Sequence, residues 1–506
     1  MNNNKKIKTR FCPSPTGFAT VANLRTALFN YLYAKKHNGE FLLRIEDTDK
    51  KRSVLGSEEY IIESLKWLGI VPNDGVNPDG SAKYRQSEKD YSKHVEFLLK
   101  NNYAYYAFDS EGELEEVRKQ GRFSYNSETR LSMKNSFSLT SEEVEKRIER
   151  GDTYVVRFNT PSNREIKLFD LVCGETVFNT SNVDDKVLWK SDGTPSYFLA
   201  NTIDDIDFEI THVIKGNEWL SSFPTIFLLY EAFGIEMPSF AHLPLVLGPD
   251  GKKMSKRKMK EYGFPVFPLS CSYIDDKGIK VDVVGFKELG YEPDALVNFI
   301  ALLGWNPGGT KEIMTVDEMV DLFDLNRINN SGAMFDVDKL KNFNAHYLRS
   351  RPWSDLYSSY IVPKLKNEYG SIPYVGKFES IVDIAKVRSV FSKDLYGHVS
   401  YFFEPVILKD GVGLKNPDEF RGVMKSFTVF FSHHEDNWTA AELEKFLTEE
   451  CESRGFKIGK ILPDLRLALT GGAPGPDLPM TMYILGRKET LTRIQLLLIK
   501  TEKVAV

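Results

Sequence analysis

The sequence is poor in cysteine and has no long hydrophobic stretch. Four cysteines, at positions 12, 173, 271 and 451, are spread over 506 residues, and no two of them have the spacing of a metal-binding knuckle. A disulfide framework would need a denser set. No run of about 18 apolar residues is present, which argues against a membrane-spanning helix. The basic N-terminus, MNNNKKIK, is not followed by an apolar signal region, so we expect a cytoplasmic protein.

The sequence also lacks an excess of charge of either sign. Its 66 Lys and Arg residues against 71 Asp and Glu give a net charge of −5, which provides no general attraction for nucleic acid. A polyanionic partner would have to bind local basic patches. At roughly 150 residues per domain, the length predicts about three or four domains.

The first 50 residues have the pattern of a strand–helix–strand unit. Residues 6–12 form a strand-like run, and the turn sequence PSPTG follows it. From Val21 onward, apolar residues recur at helical spacing, and residues 41–45 form a compact apolar strand that stops at Glu46. Two strands joined by a helix within about 40 residues predict a parallel sheet.

Such a sheet has a predictable place for ligands, which bind beyond the carboxyl ends of the strands. Both the PSPTG turn and the neighbouring carboxylates Glu46 and Asp47 fall at those ends. We therefore expect one crevice with a carboxylate on one wall. The N-terminus of the helix, which attracts phosphate, forms the other wall.

The rest of the chain divides by pattern into an insertion, a second α/β part and a helical part. The stretch from about 90 to 190 is mixed and charged, with helices expected at 113–119 and 141–150 and a strand at 153–158. The α/β pattern resumes with a strand at 210–214 and a helix at 221–233. Beyond about residue 270 the pattern is mostly helical, apart from a Gly/Pro loop at 471–476, and ends in a helix at 488–501.

A basic stretch, GKKMSKRKMK, occupies residues 251–260, with six Lys or Arg among ten residues. One interpretation is a solvated charged loop. The other is a polyphosphate-binding loop, because the stretch directly follows a tight-turn sequence at 247–251 and lies where the second half of an α/β domain would end. Ammonium groups over a crevice suit a polyphosphate leaving group, since lysine acts as a movable point charge.

Three motifs stand in order along the chain: RFCPSPTG at 10–17, RIEDTD at 44–49 and KMSKR at 253–257. Further runs accompany them, namely RQSE at 85–88, YYAF at 105–108, DGTPSY at 192–197, DD at 204–205, GNEWL at 216–220 and ALLGWN at 301–306. As an ordered set they resemble the class I aminoacyl-tRNA synthetases, and specifically the bacterial-type glutamyl-tRNA synthetases, over nearly the whole chain.

The resemblance implies an α/β Rossmann-type catalytic domain with an α+β insertion, followed by mostly α-helical C-terminal domains. The implied regions are the first catalytic half at 1–90, an insertion contacting the tRNA acceptor end at 91–190, the second catalytic half with the basic KMSKR loop at 191–265, a stem-contact region at 266–335 and a helical anticodon-binding region at 336–506.

The activity that the resemblance implies is that of a glutamate–tRNA ligase. Glutamate attacks the α-phosphate of ATP, and the glutamyl group of the resulting adenylate then passes to tRNA(Glu). In this family the first step generally requires bound tRNA. Magnesium is expected with ATP, and relatives are usually monomers. Some relatives carry a zinc knuckle in the insertion, but residues 106–109 here contain no cysteine, so we expect no zinc.

The resemblance also assigns residues to the two substrates. The expected glutamate-binding residues are Arg10, Ser14, Glu46, Tyr197, Asn201 and Lys215. The expected ATP-binding residues are Thr20, Ala22, Asn23, Glu218, Lys253, Met254, Ser255 and Lys256. Among these, the catalytic ones would be Thr20, Lys253, Ser255 and Lys256.

Each assignment has an alternative in ordinary structure. Arg10 and Glu46 could be an ion pair between neighbouring strand ends. Tyr197 and Asn201, four residues apart, could be a packing pair on a helix. Lys215 could pair with Glu218 at the surface. Lys215 also departs from the family, which usually has an arginine there, and lysine lacks the bidentate fork that arginine offers to a carboxylate.

The start of the first helix departs further. The family has a His-x-Gly-x signature where this chain has Thr20 and Ala22. Losing one charge-assisted hydrogen bond costs about 1.5–3 kcal/mol, or roughly 10- to 150-fold in rate. A catalytically impaired paralogue that binds tRNA or ATP is therefore one alternative, and neighbouring residues that compensate are another.

Two further functions are considered. A synthetase for a neighbouring amino acid such as glutamine is weakly motivated by Lys215, whereas Arg10 argues for an acidic side chain. A short glutamyl transferase acting on a modified tRNA base is disfavoured, because it would have no task for the long helical C-terminal part.

Overall fold

The computed structural model describes residues 6–75, 84–119, 121, 123–274, 278–370, 376–409, 412–433, 438–474 and 477–502. Within 256–261, the side chains of Lys256, Arg257 and Lys260 also lie outside the description. The chain divides into two compact units. The first contains residues 1–288 and 293–340, and the second contains residues 289–292 and 341–506.

The described strands are short. They are β1 (Lys8–Phe11), β2 (Glu40–Leu43), β3 (Asp74–Gly75), β4 (Ala104–Ala107), β5 (Val155–Phe158), β6 (Glu165–Asp170), β7 (Gly174–Asn179), β8 (Val187–Trp189), β9 (His212–Gly216), β10 (Ser239–Leu243), β11 (Val246–Leu247), β12 (Cys271–Ile274), β13 (Lys280–Val283) and β14 (Ala333–Met334).

The α-helices are longer and dominate the second unit. They are α1 (Val21–Lys36), α2 (Ser57–Trp67), α3 (Ser92–Lys100), α4 (Glu111–Lys119), α5 (Ser141–Glu149), α6 (Tyr197–Asp207), α7 (Phe223–Phe233), α8 (Lys256–Glu261), α9 (Phe286–Leu289), α10 (Pro293–Ala301), α11 (Val316–Leu322), α12 (Val337–Ser350), α13 (Trp353–Leu356), α14 (Val362–Tyr369), α15 (Phe378–Arg388), α16 (Pro417–His433), α17 (Ala440–Ser453), α18 (Leu462–Thr470) and α19 (Leu478–Glu502).

The strand–helix–strand unit predicted at the N-terminus is confirmed. Strands β1 and β2 pair in parallel, with Arg10 opposite Leu42, and β3 extends the sheet beyond β2. Helix α1 begins at Val21, which is fully buried together with Leu24 and Leu28 at the predicted helical spacing. Burial of this face against the sheet is what fixes the helix, since periodicity alone gives only marginal helices.

A second sheet, in the order β7-β6-β10-β9, lies beside the first one. Strands β9 and β10 are parallel, and β6 and β7 form an antiparallel hairpin. The backbone N–H of Thr211 donates to the carbonyl of Lys8 at 3.0 Å, which places β9 next to β1. The carboxyl ends of β1, β2 and β9 therefore meet at one edge, as expected for ligand sites in α/β sheets.

The region predicted as an insertion has its own small sheet. Strands β4, β5 and β8 form it, and a local core containing Tyr105, Leu114 and Tyr125 packs beside it. The hairpin of β6 and β7 instead joins the sheet of β9 and β10, through one parallel bridge between Asp170 and Phe240. The α+β character predicted for this stretch is confirmed.

The chain beyond residue 270 was predicted to be mostly helical, and this is confirmed, although one pair of strands was not predicted. Strands β12 and β13 form an antiparallel hairpin at 271–283. Each strand is only four residues long and neither face is fully buried, so the alternation extends over too few residues to identify a strand. The largely helical C-terminal part is formed by α12 to α19.

The second unit has two clusters of buried side chains. One is formed mainly by α16 to α19, with Phe420, Phe427 and Leu465 fully buried. The other includes Leu348, Leu365 and residues of α15. Helix α19 is kinked at Gly486, whose φ of 79° is outside the helical range.

No helix within the described ranges combines the length and the apolar character needed to cross a bilayer. Among the same residues, no group of three or more His, Cys, Asp or Glu side chains is arranged to hold a metal ion.

Candidate active site

A cavity of 440 Å³ opens where the strands β1, β2 and β9 end. Each strand delivers one charged side chain: Arg10 from β1, Glu46 from the residues after β2, and Lys215 from β9. All three are buried, with exposed fractions of 4%, 6% and 7%. A burial this complete is unusual for charged side chains and requires partners for each of them.

Most of the predicted substrate-binding residues line this cavity. They are Arg10, Ser14, Asn23, Glu46, Tyr197, Asn201, Lys215 and Glu218. Residues that were not predicted also line it, including Cys12, Thr16, Phe18, Thr26 and Trp219. The predicted residues Thr20, Ala22, Lys253, Met254 and Ser255 are described but do not line it, and the side chain of Lys256 lies outside the described residues.

Arg10 is held by a carboxylate of the protein itself. Its Nε donates to Asp205 Oδ1 at 3.1 Å and its Nη2 to Asp205 Oδ2 at 3.0 Å. Arg44 donates from Nη1 to the same carboxylate at 2.7 Å. Burial alone would raise the pKa of Asp205, but the two guanidinium groups lower it below its ordinary value. Asp205 thus remains ionised and binds two buried cations.

Glu46 has a different environment. Its Oε1 accepts a hydrogen bond from Asn201 Nδ2 and lies 3.5 Å from Arg44 Nη2. Burial raises the pKa of Glu46, and the nearby positive charge of Arg44 only partly opposes this effect. A carboxylate in such a site gains from a cationic ligand, because the ligand supplies the counter-charge that burial has removed.

Lys215 lies against two aromatic rings. Its Nζ donates to the Tyr197 hydroxyl at 2.7 Å and lies 5.3 Å and 5.1 Å from the ring centres of Tyr197 and Trp219. The two rings stack with their centres 4.6 Å apart. Burial, with a further contribution from Arg10, lowers the pKa of Lys215 to about 8. The ammonium therefore loses its proton more readily than an exposed lysine.

Purely structural pairs were considered above as alternatives to binding roles for these side chains, and the described contacts differ from those pairs. Arg10 pairs with Asp205 rather than with Glu46. Tyr197 and Asn201 lie on one face of α6 and both line the cavity. Lys215 is buried and bonds to Tyr197, so a surface pair with Glu218 is wrong.

Sequence analysis missed the structural roles of Asp205 and Arg44. Both stand in the quoted motifs, but neither was assigned a role. A signal was available for Asp205, because Tyr197, Asn201 and Asp205 are spaced four residues apart and therefore share one face of α6. For Arg44 no such signal exists for its bond to Asp205, since this contact depends on how α6 packs on the sheet.

The hydrogen-bond donors of Thr20 and Val21, at the start of α1, are bonded to other residues of the protein. The backbone N–H and the hydroxyl of Thr20 both donate to Asn23 Oδ1, each at 2.9 Å. The N–H of Val21 donates to the carbonyl of Val266 at 2.9 Å. The Thr20 hydroxyl is therefore engaged in a bond within the protein, and Thr20 does not line the cavity.

Among the described side chains of the basic loop, Lys253 lies next to a residue that lines the cavity. Lys253 Nζ lies 4.0 Å from Oε1 of Glu218, which lines the cavity. The tight turn predicted before the loop is confirmed, because the N–H of Gly248 donates to the carbonyl of Lys252 at 2.8 Å. The side chain of Lys253 is 61% exposed, so it is free to turn toward a ligand.

Because Asp205 is shared by two guanidinium groups, we expect its replacement by asparagine to lower the stability of the fold strongly. In Asp205→Asn, two buried guanidinium groups lose their common counter-charge while the side-chain volume stays the same. We expect the free energy of unfolding to fall by about 3–5 kcal/mol, measured by denaturant titration. Asp207→Asn, on the exposed side of the same helix, is the matched control and should cost less than about 1 kcal/mol. Equal losses in the two variants would contradict a structural role for the Asp205 network.

Comparisons with known families agree with this geometry. Residues 6–265 and 276–342 match the sequence model of the family described as tRNA synthetases class I (E and Q), catalytic domain. Residues 354–498 match that of an anticodon binding domain. Together the two matches account for most of the chain.

Full-length relatives lead to the same family. The glutamate–tRNA ligase of Flavobacterium johnsoniae is 42% identical over 501 residues, covering 97% of this chain and 98% of the relative. That of Bacteroides fragilis is 43% identical over 501 residues, with the same coverage. A crystal structure of a glutamate tRNA ligase from Elizabethkingia meningosepticum in complex with its amino acid aligns with a TM-score of 0.88 and 41% identity, over 98% of this chain and 99% of that one. The chain therefore belongs to the class I tRNA synthetases, and within them to the bacterial glutamate–tRNA ligases.

Proposed function

We propose that this chain activates L-glutamate with ATP and transfers the glutamyl group to tRNA(Glu). The observation that carries the proposal is the charge pattern of the cavity. Two buried cations, Arg10 and Lys215, and one buried carboxylate, Glu46, line it. Free glutamate has two carboxylates and one ammonium group, which is the complementary set. Glutamine would present an uncharged amide to Arg10 in place of a carboxylate, so a charge-assisted contact would be lost.

The residues take distinct roles in binding glutamate. Arg10 pairs with the side-chain carboxylate, using the edge of its guanidinium that Asp205 does not occupy. Ser14 contributes a hydrogen bond nearby. Glu46 holds the substrate ammonium, and Lys215 binds a carboxylate as a point charge. Tyr197 and Asn201 complete the wall of the pocket and orient Lys215 and Glu46 through the hydrogen bonds described above.

ATP is bound beside the glutamate, between the start of α1 and the basic loop. Asn23 and Glu218 line the cavity on this side, and Lys253 is next to Glu218. Thr20 and Ala22 contribute backbone at the helix start, and the loop residues Met254, Ser255 and Lys256 close over the phosphates. Mg²⁺ enters with the substrate, bound to the phosphate oxygens of ATP.

The chemistry requires positioning more than proton transfer. A carboxylate oxygen of glutamate attacks the α-phosphorus, and the bond from that phosphorus to the bridging oxygen breaks, releasing pyrophosphate. A terminal ribose hydroxyl of the tRNA then attacks the glutamyl carbonyl and displaces AMP. In both steps the protein holds the reacting atoms in line and stabilises the negative charge that develops, with Lys253 and Lys256 at the leaving pyrophosphate.

The regions outside the cavity bind the tRNA. We propose that residues 91–190 contact the acceptor end, 266–335 the stem and 336–506 the anticodon, and that the first step depends on bound tRNA. The protein would act as a monomer in the cytoplasm, where its substrates are. The comparisons give no support to the alternative of an impaired paralogue, and the aminoacylation assay below would reveal it as tRNA binding without charging.

Charging of total tRNA with labelled amino acids tests the function. We expect glutamate to be attached to tRNA(Glu) in an ATP-dependent reaction, and glutamine not to be attached. Arg10→Gln should lower kcat/KM for glutamate by roughly 10- to 150-fold, because the loss of a charge-assisted contact costs about 1.5–3 kcal/mol. Charging with glutamine at the same rate would refute the specificity, and no charging by the unaltered chain would refute the activity.

The lowered pKa of Lys215 predicts a pH effect. Raising the pH through about 8 removes the Lys215 proton, so a cation is lost from the pocket. We expect kcat/KM for glutamate to be about ten-fold lower one pH unit above that value than on the plateau, since this ratio reports ionisations of the free enzyme. Lys215→Arg is the matched control, because arginine stays charged throughout. A profile that is the same for both chains would show that another group titrates.

Restoring the family's histidine and glycine at the start of α1 is expected to raise the activity. In Thr20→His combined with Ala22→Gly, the helix start regains a side chain long enough to donate to phosphate, and the methyl group beside the nucleotide is removed. We expect ATP–pyrophosphate exchange with glutamate and tRNA to rise by about ten-fold or more. No gain would mean that these positions do not limit the reaction and that neighbouring residues already compensate.

A further inference from the structure

A six-residue segment that follows α8 in the chain is hydrogen-bonded both to α8 and to the start of α1. We call residues 264–269 the tether. At its first residue, the N–H of Phe264 donates to the carbonyl of Met259 in α8 at 2.9 Å. Two residues later, the carbonyl of Val266 accepts from the N–H of Val21, the first residue of α1, at 2.9 Å. The tether therefore contacts both elements that we place around ATP.

The tether is buried, so its backbone groups need partners within the protein. Val266, Phe267 and Leu269 are 3%, 1% and 7% exposed. The carbonyl of Phe267 accepts from the N–H of Phe286 at 3.0 Å, which anchors one side of the segment. A buried backbone group without a partner costs as much as a lost hydrogen bond, which makes the tether sensitive to the partners at its far end.

One side chain supplies both partners at that end. The hydroxyl of Tyr60, in α2, donates to the carbonyl of Leu269 at 2.7 Å and accepts from the N–H of the same residue at 3.1 Å. Tyr60 is only 7% exposed, and its ring packs edge-on against Phe18, which lines the cavity. Any shift of the tether along its length would break both bonds at once.

We propose that Tyr60 is a positioning residue for ATP. Its hydroxyl fixes the tether in one register, and the tether fixes α8 and the basic loop relative to the N-terminus of α1. Tyr60 does not line the cavity, and its hydroxyl contacts this segment rather than a substrate. The inference rests on the proposed function, which identifies this side of the cavity as the ATP site. The hydrogen bonds that link Met259 and Val21 to the tether do not depend on that proposal.

The geometry separates the two substrates. The tether meets α1 at Val21 and the basic loop through α8, which belong to the ATP side of the cavity. The buried charges that we assign to glutamate are positioned instead by Asp205 and Asn201. Loosening the tether should therefore affect ATP and leave glutamate almost unchanged, whereas a general loss of folded structure would affect both.

Tyr60→Phe removes the hydroxyl and keeps the ring, and Tyr230→Phe is the matched control. The Tyr230 hydroxyl is buried but has no hydrogen-bond partner among the described residues, so its removal breaks no described hydrogen bond and should leave KM for ATP unchanged. In aminoacylation assays, we expect Tyr60→Phe to raise KM for ATP by about ten-fold. KM for glutamate should stay within about two-fold of the unaltered enzyme.

A second readout needs no turnover. Backbone hydrogen exchange followed by mass spectrometry should be faster in Tyr60→Phe for peptides covering the tether and the start of α1, and unchanged in Tyr230→Phe. Parallel changes in the two KM values, an unchanged KM for ATP, or unchanged exchange in those peptides would each overturn the inference. Absence of charging by the unaltered chain would instead refute the proposed function, while the exchange measurement would still test the tether.

Discussion

The arrangement of the site depends on one carboxylate shared by two guanidinium groups. Asp205 binds both Arg10 and Arg44, and all three side chains are almost completely removed from water. Desolvating any one of them alone would cost several kcal/mol. Their mutual hydrogen bonds offset that cost only in one geometry, so the network fixes the position of α6 relative to the ends of β1 and β2.

The same network gives the cavity its chemical character. Arg10 is held on one edge by Asp205, which leaves the other edge for a ligand and prevents the side chain from collapsing into the cavity. Arg44 connects this pair to Glu46. Cation and anion therefore stand at fixed positions before any ligand binds, and this preorganisation reduces the ordering that binding would otherwise require.

Lys215 stands where the family usually has an arginine, and in the proposed function it binds a carboxylate of the substrate. An ammonium group lacks the planar fork, but here it lies over the rings of Tyr197 and Trp219 and bonds to a hydroxyl. The aromatic faces stabilise the cation without using up its charge. Position 215 thus keeps the positive charge that the proposed function requires, and the lowered pKa of Lys215 gives it a sensitivity to pH that arginine would not have.

Much of the catalytic fold could be predicted because the relevant signals are local. The parallel pairing of β1 and β2 was predicted from two apolar runs flanking a helical period, and the turn before the basic loop from its glycines and proline. The hairpin of β12 and β13 was missed, since its strands are four residues long and only half-buried. The hairpin of β6 and β7 was not placed either, because its parallel bridge to β10 joins residues 70 positions apart, Asp170 and Phe240.

The candidate site, like the fold, could be predicted only in part. From local patterns the sequence by itself determined that the PSPTG turn and Glu46 lie at strand ends, and the family resemblance then brought Arg10, Glu46 and Lys215 into one hypothesis. Only the tertiary structure decided their partners. Asp205 lies 195 residues from Arg10, and Val266 lies 245 residues from Val21. Contacts between such distant segments depend on how whole elements pack, and no local pattern in a single sequence encodes that packing.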